Sequence, residues 1–349
     1  MLTKTEKLQD FSKMKKNRIL IKALCLLLCL SLFMVGCGEK EKPTPSEPPQ
    51  STPSVDSSDI YTSSDIYTEE PSRYDDLFLE ITDFGTTVTG FGDLADSKYK
   101  DALSELETVL DKYSRKVSVV AYALDNNKAL AYNTREELFC ACTVKAAYAL
   151  YACKQMEQGK GNLNTEMEYK SKHYEPGTGD MQYFSFGTMF KMETIIDKTM
   201  GISDNVGYFM MVDYFGREGY NKWIRELGCP SLQIHPTVWS LHAKAKELAI
   251  IWREIYKYFE TDTEYAKFLK KTCTNTPNNY ATAALEGVDI SHKQGHNSSG
   301  GWLAYSDAGI VWKANEPYII VILSDAPGPS KYDADVFAEV IKVINDKLF

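Results

Sequence analysis

The sequence predicts an α/β domain of the α+β kind with two lobes, one built from both ends of the domain and one all-helical and inserted between them. Three observations carry this: a pair of β-rich runs joined by a turn near residue 117, helical periodicities across residues 143–271, and three later β-rich runs closed by an amphipathic segment.

In chain order, residues 117–124 alternate and are β-rich, Asp125, Asn126 and Asn127 make a turn, and residues 129–132 return, so the domain is expected to open with a hairpin. Residues 143–156 are dense in Ala, Tyr and Leu and read as a buried helix. Helical patterns follow over 206–214, 220–227, 243–258 and 264–271. Strands are expected over 289–295, 303–312 and 318–324, separated by Gly- and Asn-containing turns, and a closing amphipathic helix over 334–348.

The chain ahead of this domain reads as an address. Lys13, Lys15, Lys16 and Arg18 precede an apolar run over 23–35, shorter than the roughly 20 residues a membrane helix needs. Met34-Val35-Gly36-Cys37 resembles a bacterial lipobox, with Met34 in place of the more usual leucine. Residues 1–36 are therefore expected to be a lipoprotein signal peptide, with Cys37 lipidated; the alternative is an uncleaved signal anchor. Residues 37–72 are rich in Pro, Ser, Thr, Glu and Lys, cannot bury a core, and read as a disordered tether. Residues 73–349 are long enough for one sizeable core. Either reading places the domain outside the cytoplasm, on the bacterial membrane.

Net charge is −9; residues 1–36 hold seven Lys and Arg against Glu6 and Asp10, a balance of +5, so the mature form carries −14. An acidic surface argues against nucleic acid as a partner. Cys140, Cys142, Cys153, Cys229 and Cys273 are an odd, scattered set and not a disulfide framework. The histidines are dispersed without ligand spacing, so no metal or cofactor is expected, and the domain is expected to be a monomer.

Three ordered motifs carry the chemistry. Phe139 to Lys145 read F-C-A-C-T-V-K, Ser203-Asp204-Asn205 follows, and then His292-Lys293-Gln294-Gly295. Together they resemble the S-x-x-K, S-D-N and K-T-G elements of the class A β-lactamases and penicillin-binding proteins, with Cys142 where the serine belongs. The resemblance implies the β-lactamase/transpeptidase-like fold, an antiparallel sheet with flanking helices from both chain ends plus the inserted helical lobe, and a site in the cleft between lobes. It also implies roles: Cys142 as nucleophile, Lys145 as its partner, Ser203 as proton relay to the leaving nitrogen, Asn205 as donor to the substrate amide and Lys293 as attractor of the substrate carboxylate. The backbone N–H groups of Cys142 and of His296, just past Gly295, would form the oxyanion hole. Gln294 replaces a hydroxyl residue and alters one carboxylate contact.

Cys142 changes the proton economy. A free thiol titrates near ~8.5 and a lysine near ~10.4, so about 2.6 kcal/mol favours a thiolate beside an ammonium before burial acts on either. The second departure is an absence. The family's Ω-loop E-x-x-x-N has no counterpart in C-P-S-L-Q-I-H-P-T-V-W, and Glu247, the nearest carboxylate downstream, is expected to face solvent. The implied function is an acyl hydrolase or transferase acting on β-lactams or peptidoglycan-like amides, with slow deacylation for want of a base. The rival is a catalytically degenerate lipoprotein that binds a cell-wall peptide or antibiotic.

Replacing Cys37 by alanine is expected to abolish incorporation of a fatty-acid analogue and to release the chain from the membrane fraction. Labelling and retention equal to the parent's would remove the anchor.

Overall fold

A computed structural model describes residues 86–89, 97–125, 128–134, 136–236, 241–274, 276, 284–285, 287–298, 300–328 and 330–349. The expected signal peptide, Cys37 and the tether lie outside the described residues, as do Asn126 and Asn127 of the expected turn.

The domain does not open on the hairpin. Strand β1 (Thr86–Thr89) and helix α1 (Ser97–Lys112) precede β2 (Val117–Ala123) and β3 (Ala129–Tyr132). The α1 segment Ser97–Lys112 buries Ala102, Leu106, Val109 and Leu110 along one stripe at helical spacing, an amphipathic pattern that is not among the expected elements. The late strands are β8 (Ile290–Asn297), β9 (Ala304–Val311) and β10 (Tyr318–Ser324), within a residue or two of expectation, and α8 (Lys331–Val343) closes the chain. Here we number α2 Lys145–Glu157, α3 Met192–Gly201, α4 Asn205–Phe215, α5 Arg217–Glu226, α6 Ala245–Phe259 and α7 Glu264–Thr274. Short pairs add β4 (Leu138–Phe139) with β7 (His242–Ala243), and β5 (Glu166–Glu168) with β6 (Met189–Lys191).

The main sheet is antiparallel in the order β1-β3-β2-β10-β9-β8, so both chain ends contribute to it. Both faces are covered, so every residue of β2 and β10 is buried, Ser118 and Ser324 included, although residues 117–124 read as alternating in the sequence. Val119, Ala121 and Ile320 pack with α1 and α8, while Val120, Ile319 and Val321 pack against the helical insertion around Trp252 of α6. This is the α+β, two-lobed architecture read from the sequence. Strand β8 stands at the edge of the sheet, and that position lets its backbone meet the turn that carries Cys142.

Candidate active site

Cys142 lies on a 3-10 turn, Ala141–Val144, that runs directly into α2. The turn is held from two sides. Cys140 donates its N–H to Leu241 O at 3.0 Å, beside the β4–β7 pairing, and Thr143 donates its hydroxyl to Cys140 O at 2.7 Å. On the other side Gly295 of β8 presses on it: a Cβ at this position would sit 2.6 Å from Cys140 O and 3.2 Å from Cys142 N. Only glycine permits that approach.

Lys145, one turn on, is buried and donates to Ser203 O at 2.6 Å and to Asn205 Oδ1 at 2.7 Å. The S-D-N segment is bent to receive it. Ser203 has φ +61° and Asp204 caps α4 by accepting from Gly207 N at 2.9 Å, which turns the Ser203 carbonyl toward the lysine. Ala141, just ahead of the nucleophile position, has φ +45°. Left-handed backbone at two non-glycine residues costs about 1–3 kcal/mol each and marks segments held in place by their surroundings.

Lys293 is completely buried, with Nζ donating to Gln294 O at 2.8 Å. Burial pulls its ammonium down to about 8, against the attraction of Cys142. For the half-buried Cys142, burial pushes the thiol up, but the Lys145 and Lys293 ammoniums outweigh it and bring it to about 7, helped by the nearby Ser203 hydroxyl. Ser203 Oγ itself is buried and makes no hydrogen bond of good geometry. The other four described cysteines are free and buried, and burial raises each of them, Cys140 and Cys273 to about 12.

The cleft over Cys142 has a volume of about 400 Å³ and is walled by Phe139, Trp302, His296 and Asn297 on one side and by Pro176, Gly177, Thr178 and Asn205 on the other. Phe139, His242 and Trp302 form one aromatic cluster, with the His242 and Trp302 centroids 4.8 Å apart. Cys142, Lys145, Ser203, Asn205, Lys293, Gln294, Gly295 and His296 are thus gathered from three separate segments around one cleft, with Lys145, Ser203, Lys293 and Gln294 beneath its surface.

A family model for the β-lactamase enzyme family matches residues 101–348. The chain belongs to that family. Solved structures with the same fold include a TLA-1 extended-spectrum β-lactamase, 19% identical with a TM-score of 0.64, covering 71% of this chain and 98% of that one. The penicillin-binding protein PBP-A is 18% identical with a TM-score of 0.63, covering 70% and 94%. A class A β-lactamase from Bacteroides cellulosilyticus DSM 14838 is 18% identical with a TM-score of 0.63, covering 72% and 98%. No curated protein is detectably similar in sequence.

For a β-lactamase family member, this site has walls that its motifs do not announce. Thr178 donates to Ser203 O at 2.6 Å, Asn205 Nδ2 donates to Pro176 O at 3.2 Å, and Asp204 Oδ2 accepts from Met181 N at 2.8 Å, so the P-G-T-G loop is strapped onto S-D-N. Gly179, at φ +94°, fits against Asp204 where a Cβ would fall 2.1 Å from Oδ2. The run of Gly177 and Gly179 around Thr178 is the signal that would have marked this loop. Beneath β8, His292 bridges Asp307 Oδ1 at 2.8 Å and Thr276, a buried cluster equally silent in the sequence.

Glu247 corrects an expectation. It is buried rather than solvent-facing, and its carboxylate accepts from Ser231 N at 3.2 Å and from the Ser231 hydroxyl. The helix α6 packs that first turn inward against Cys229, whose Sγ meets Glu247 O at 3.6 Å. It does not line the cleft. Burial raises its carboxyl from near 4.5 to about 7, in spite of the Ser231 hydrogen bonds.

Two outcomes follow. Alkylation of Cys142 by iodoacetamide is expected to rise with pH through a midpoint near 7 and to outpace Cys153 and Cys273, with Lys145→Ala moving the midpoint upward; site-resolved peptide mass spectrometry reads it, and equal slow labelling at all three sites would contradict it. Because the Glu247 carboxyl is raised in the folded chain, its stabilising effect is complete below about 4.5 and is lost as pH climbs to about 7, a loss on the order of 3 kcal/mol. In urea unfolding Glu247→Gln is expected to flatten that decline, and an undiminished decline would assign it to another group.

Proposed function

We propose that this protein is an acyl hydrolase or transferase acting on β-lactams or peptidoglycan-like amides through a covalent thioester at Cys142, released slowly. One observation carries the reading: a half-buried thiol in a cleft, with two buried ammoniums bringing it to about 7, is ionised in substantial fraction at neutral pH. Buried lysines in this number cost stability unless a negative charge answers them, and the thiolate is that charge.

The thiolate sulfur attacks the carbonyl carbon and forms a C–S bond, while the carbonyl oxygen takes up negative charge facing the N–H groups of Cys142 and His296. Collapse breaks the bond to the leaving nitrogen, which takes a proton relayed from Lys145 through the Ser203 hydroxyl. Lys145 has three N–H donors, and two are committed to Ser203 O and Asn205 Oδ1. The third is the proton in play. Its role differs from that of a base toward a serine, since the nucleophile has already lost its proton.

Release requires water to attack the thioester, lose a proton and expel the sulfur. Among the described residues lining the cleft there is no carboxylate, and Glu247 is occupied with Ser231. A placed general base contributes typically ~10² to 10⁴-fold, more than the greater reactivity of a thioester over an ester is expected to recover. The fold neighbour PBP-A has been captured, as a mutant, in an acyl-enzyme complex with penicillin G. By the signal-peptide and lipobox reading, the reaction takes place outside the cytoplasm at the membrane surface, on a single anchored chain.

Incubation of the full chain with millimolar penicillin is expected to add one penicillin mass that persists after the free compound is removed, and Cys142→Ala is expected to show none. Rapid steady-state hydrolysis of nitrocefin by the parent would overturn slow release. No adduct and no hydrolysis would leave a binding function in its place.

A further inference from the structure

Trp302 lines the cleft with 49% of its surface exposed, and among the described residues it is the one exposed large apolar side chain that does so. An indole left in water forgoes the burial that would stabilise it, so its place is set by its neighbours. Gly300 and Gly301, at φ +70° and +76°, turn the chain between β8 and β9, and Asn297 Nδ2 donates to Trp302 O. The ring is propped on Phe139 and His242, with centroids 6.1 and 4.8 Å away and planes inclined by 58° and 66°, so neither stacks in parallel over its face. Phe139 and His242 stand directly opposite each other in the β4–β7 pair, and the same segments hold the Cys142 turn, since Cys140 donates its N–H to Leu241 O. The indole and the thiol are thus fixed to one support.

The ligand group that suits this ring is uncharged and apolar. No Asp, Glu, Lys or Arg is among the described residues lining the cleft, and Pro176 adds a second carbon surface on the opposite wall. A flat ring laid against Trp302 there leaves water without stripping solvent from a charge. The reaction described under the proposed function decides which end of the donor meets it. The carbonyl oxygen faces the N–H groups of Cys142 and His296, and the leaving nitrogen faces Ser203. The acyl group is the remaining substituent and runs outward past His296 and Asn297, which line the same wall as Trp302.

We propose that Trp302 is a platform for an aromatic ring on the acyl side of the donor, so that this site selects aryl-bearing acyl donors over aliphatic ones. The inference rests on the acyl-transfer reading for the acyl step alone, and the preference of the cleft for a ring is measurable without it. The scissile chemistry is unchanged: the C–S bond forms, the bond to the leaving nitrogen breaks, and that nitrogen takes the proton. Phe139 and His242 act through Trp302 as positioning residues.

The first test needs no acyl transfer. Cys142 of the full chain is alkylated with iodoacetanilide or iodoacetamide, where sulfur displaces iodide in both, and site-resolved peptide mass spectrometry gives each rate, divided by that reagent's rate with glutathione. The anilide is expected to be favoured about 10-fold at Cys142, Trp302→Ala to bring the ratio below about 2-fold, and Trp302→Phe to keep most of it. A ratio near one in the parent, or one that survives Trp302→Ala, overturns the inference and leaves acyl transfer untouched. The second test compares penicillin G with 6-acetamidopenicillanic acid, which lacks only the phenyl ring, by the rate of adduct formation in intact-mass spectra. Penicillin G is expected to react about 10-fold faster, and equal rates overturn the placement of the ring on the acyl side. A preference for the anilide with no adduct from either penicillin would support the aromatic platform and end the acyl-transfer reading.

Discussion

The buried ammonium of Lys145 is the constraint on which the rest of the site depends. An ammonium out of water costs several kcal/mol unless its donors are met, and Lys145 meets two of them with Ser203 O and Asn205 Oδ1, groups some sixty residues further along the chain. That requirement explains the left-handed backbone at Ser203, since the bend aims the carbonyl at Nζ. It explains Asp204 as well, whose carboxylate caps α4 and holds Met181 N, fixing the strap that covers Asn205. One cation thereby links the first turn of α2, the start of α4 and the P-G-T-G loop into a single rigid wall.

The opposite wall obeys a steric rule rather than an electrostatic one. Strand β8 sits at the sheet edge, and glycine at 295 lets its backbone lie against the Cys142 turn closely enough for Lys293 to share the nucleophile's field. Antiparallel pairing with β9 sets the register, placing Lys293 opposite Ala308 and Gln294 opposite Asp307. The alternation of the strand then sends Lys293 toward the thiol and Gln294 with His296 to the other face. A slip of one residue would exchange them, so the pairing of β8 with β9 is as much a part of the chemistry as the side chains are.

The departures from the family pattern form a consistent set. A thiol that ionises near 7 has little need of a strong base, which suits a lysine spending two donors on carbonyl oxygens. A cleft with no carboxylate among its described lining residues suits the slow release proposed above. Each change alone would read as decay, yet Lys145, Ser203, Asn205 and Lys293 remain gathered around the cleft, and two strained residues are maintained at a cost that a vacated site would not need to bear.

The sequence by itself determined the strands 117–123, 129–132 and 318–324, the helical run between them, the family, and which residue types meet in the site, because period, turn chemistry and motif spacing are local properties of the chain. Helical spacing is present in α1 and α3 as well, although neither is among the expected elements, while the burial of Glu247 depends on what α6 packs against. Thr178, Pro176 and Trp302 escaped for the same reason: they become walls only when loops distant in sequence close on one turn. Tertiary structure alone decided that Lys293 is sealed beneath the surface, that Gln294 carries an unmet acceptor and that Cys142 titrates near 7, since burial and net field are sums over neighbours that no linear motif contains.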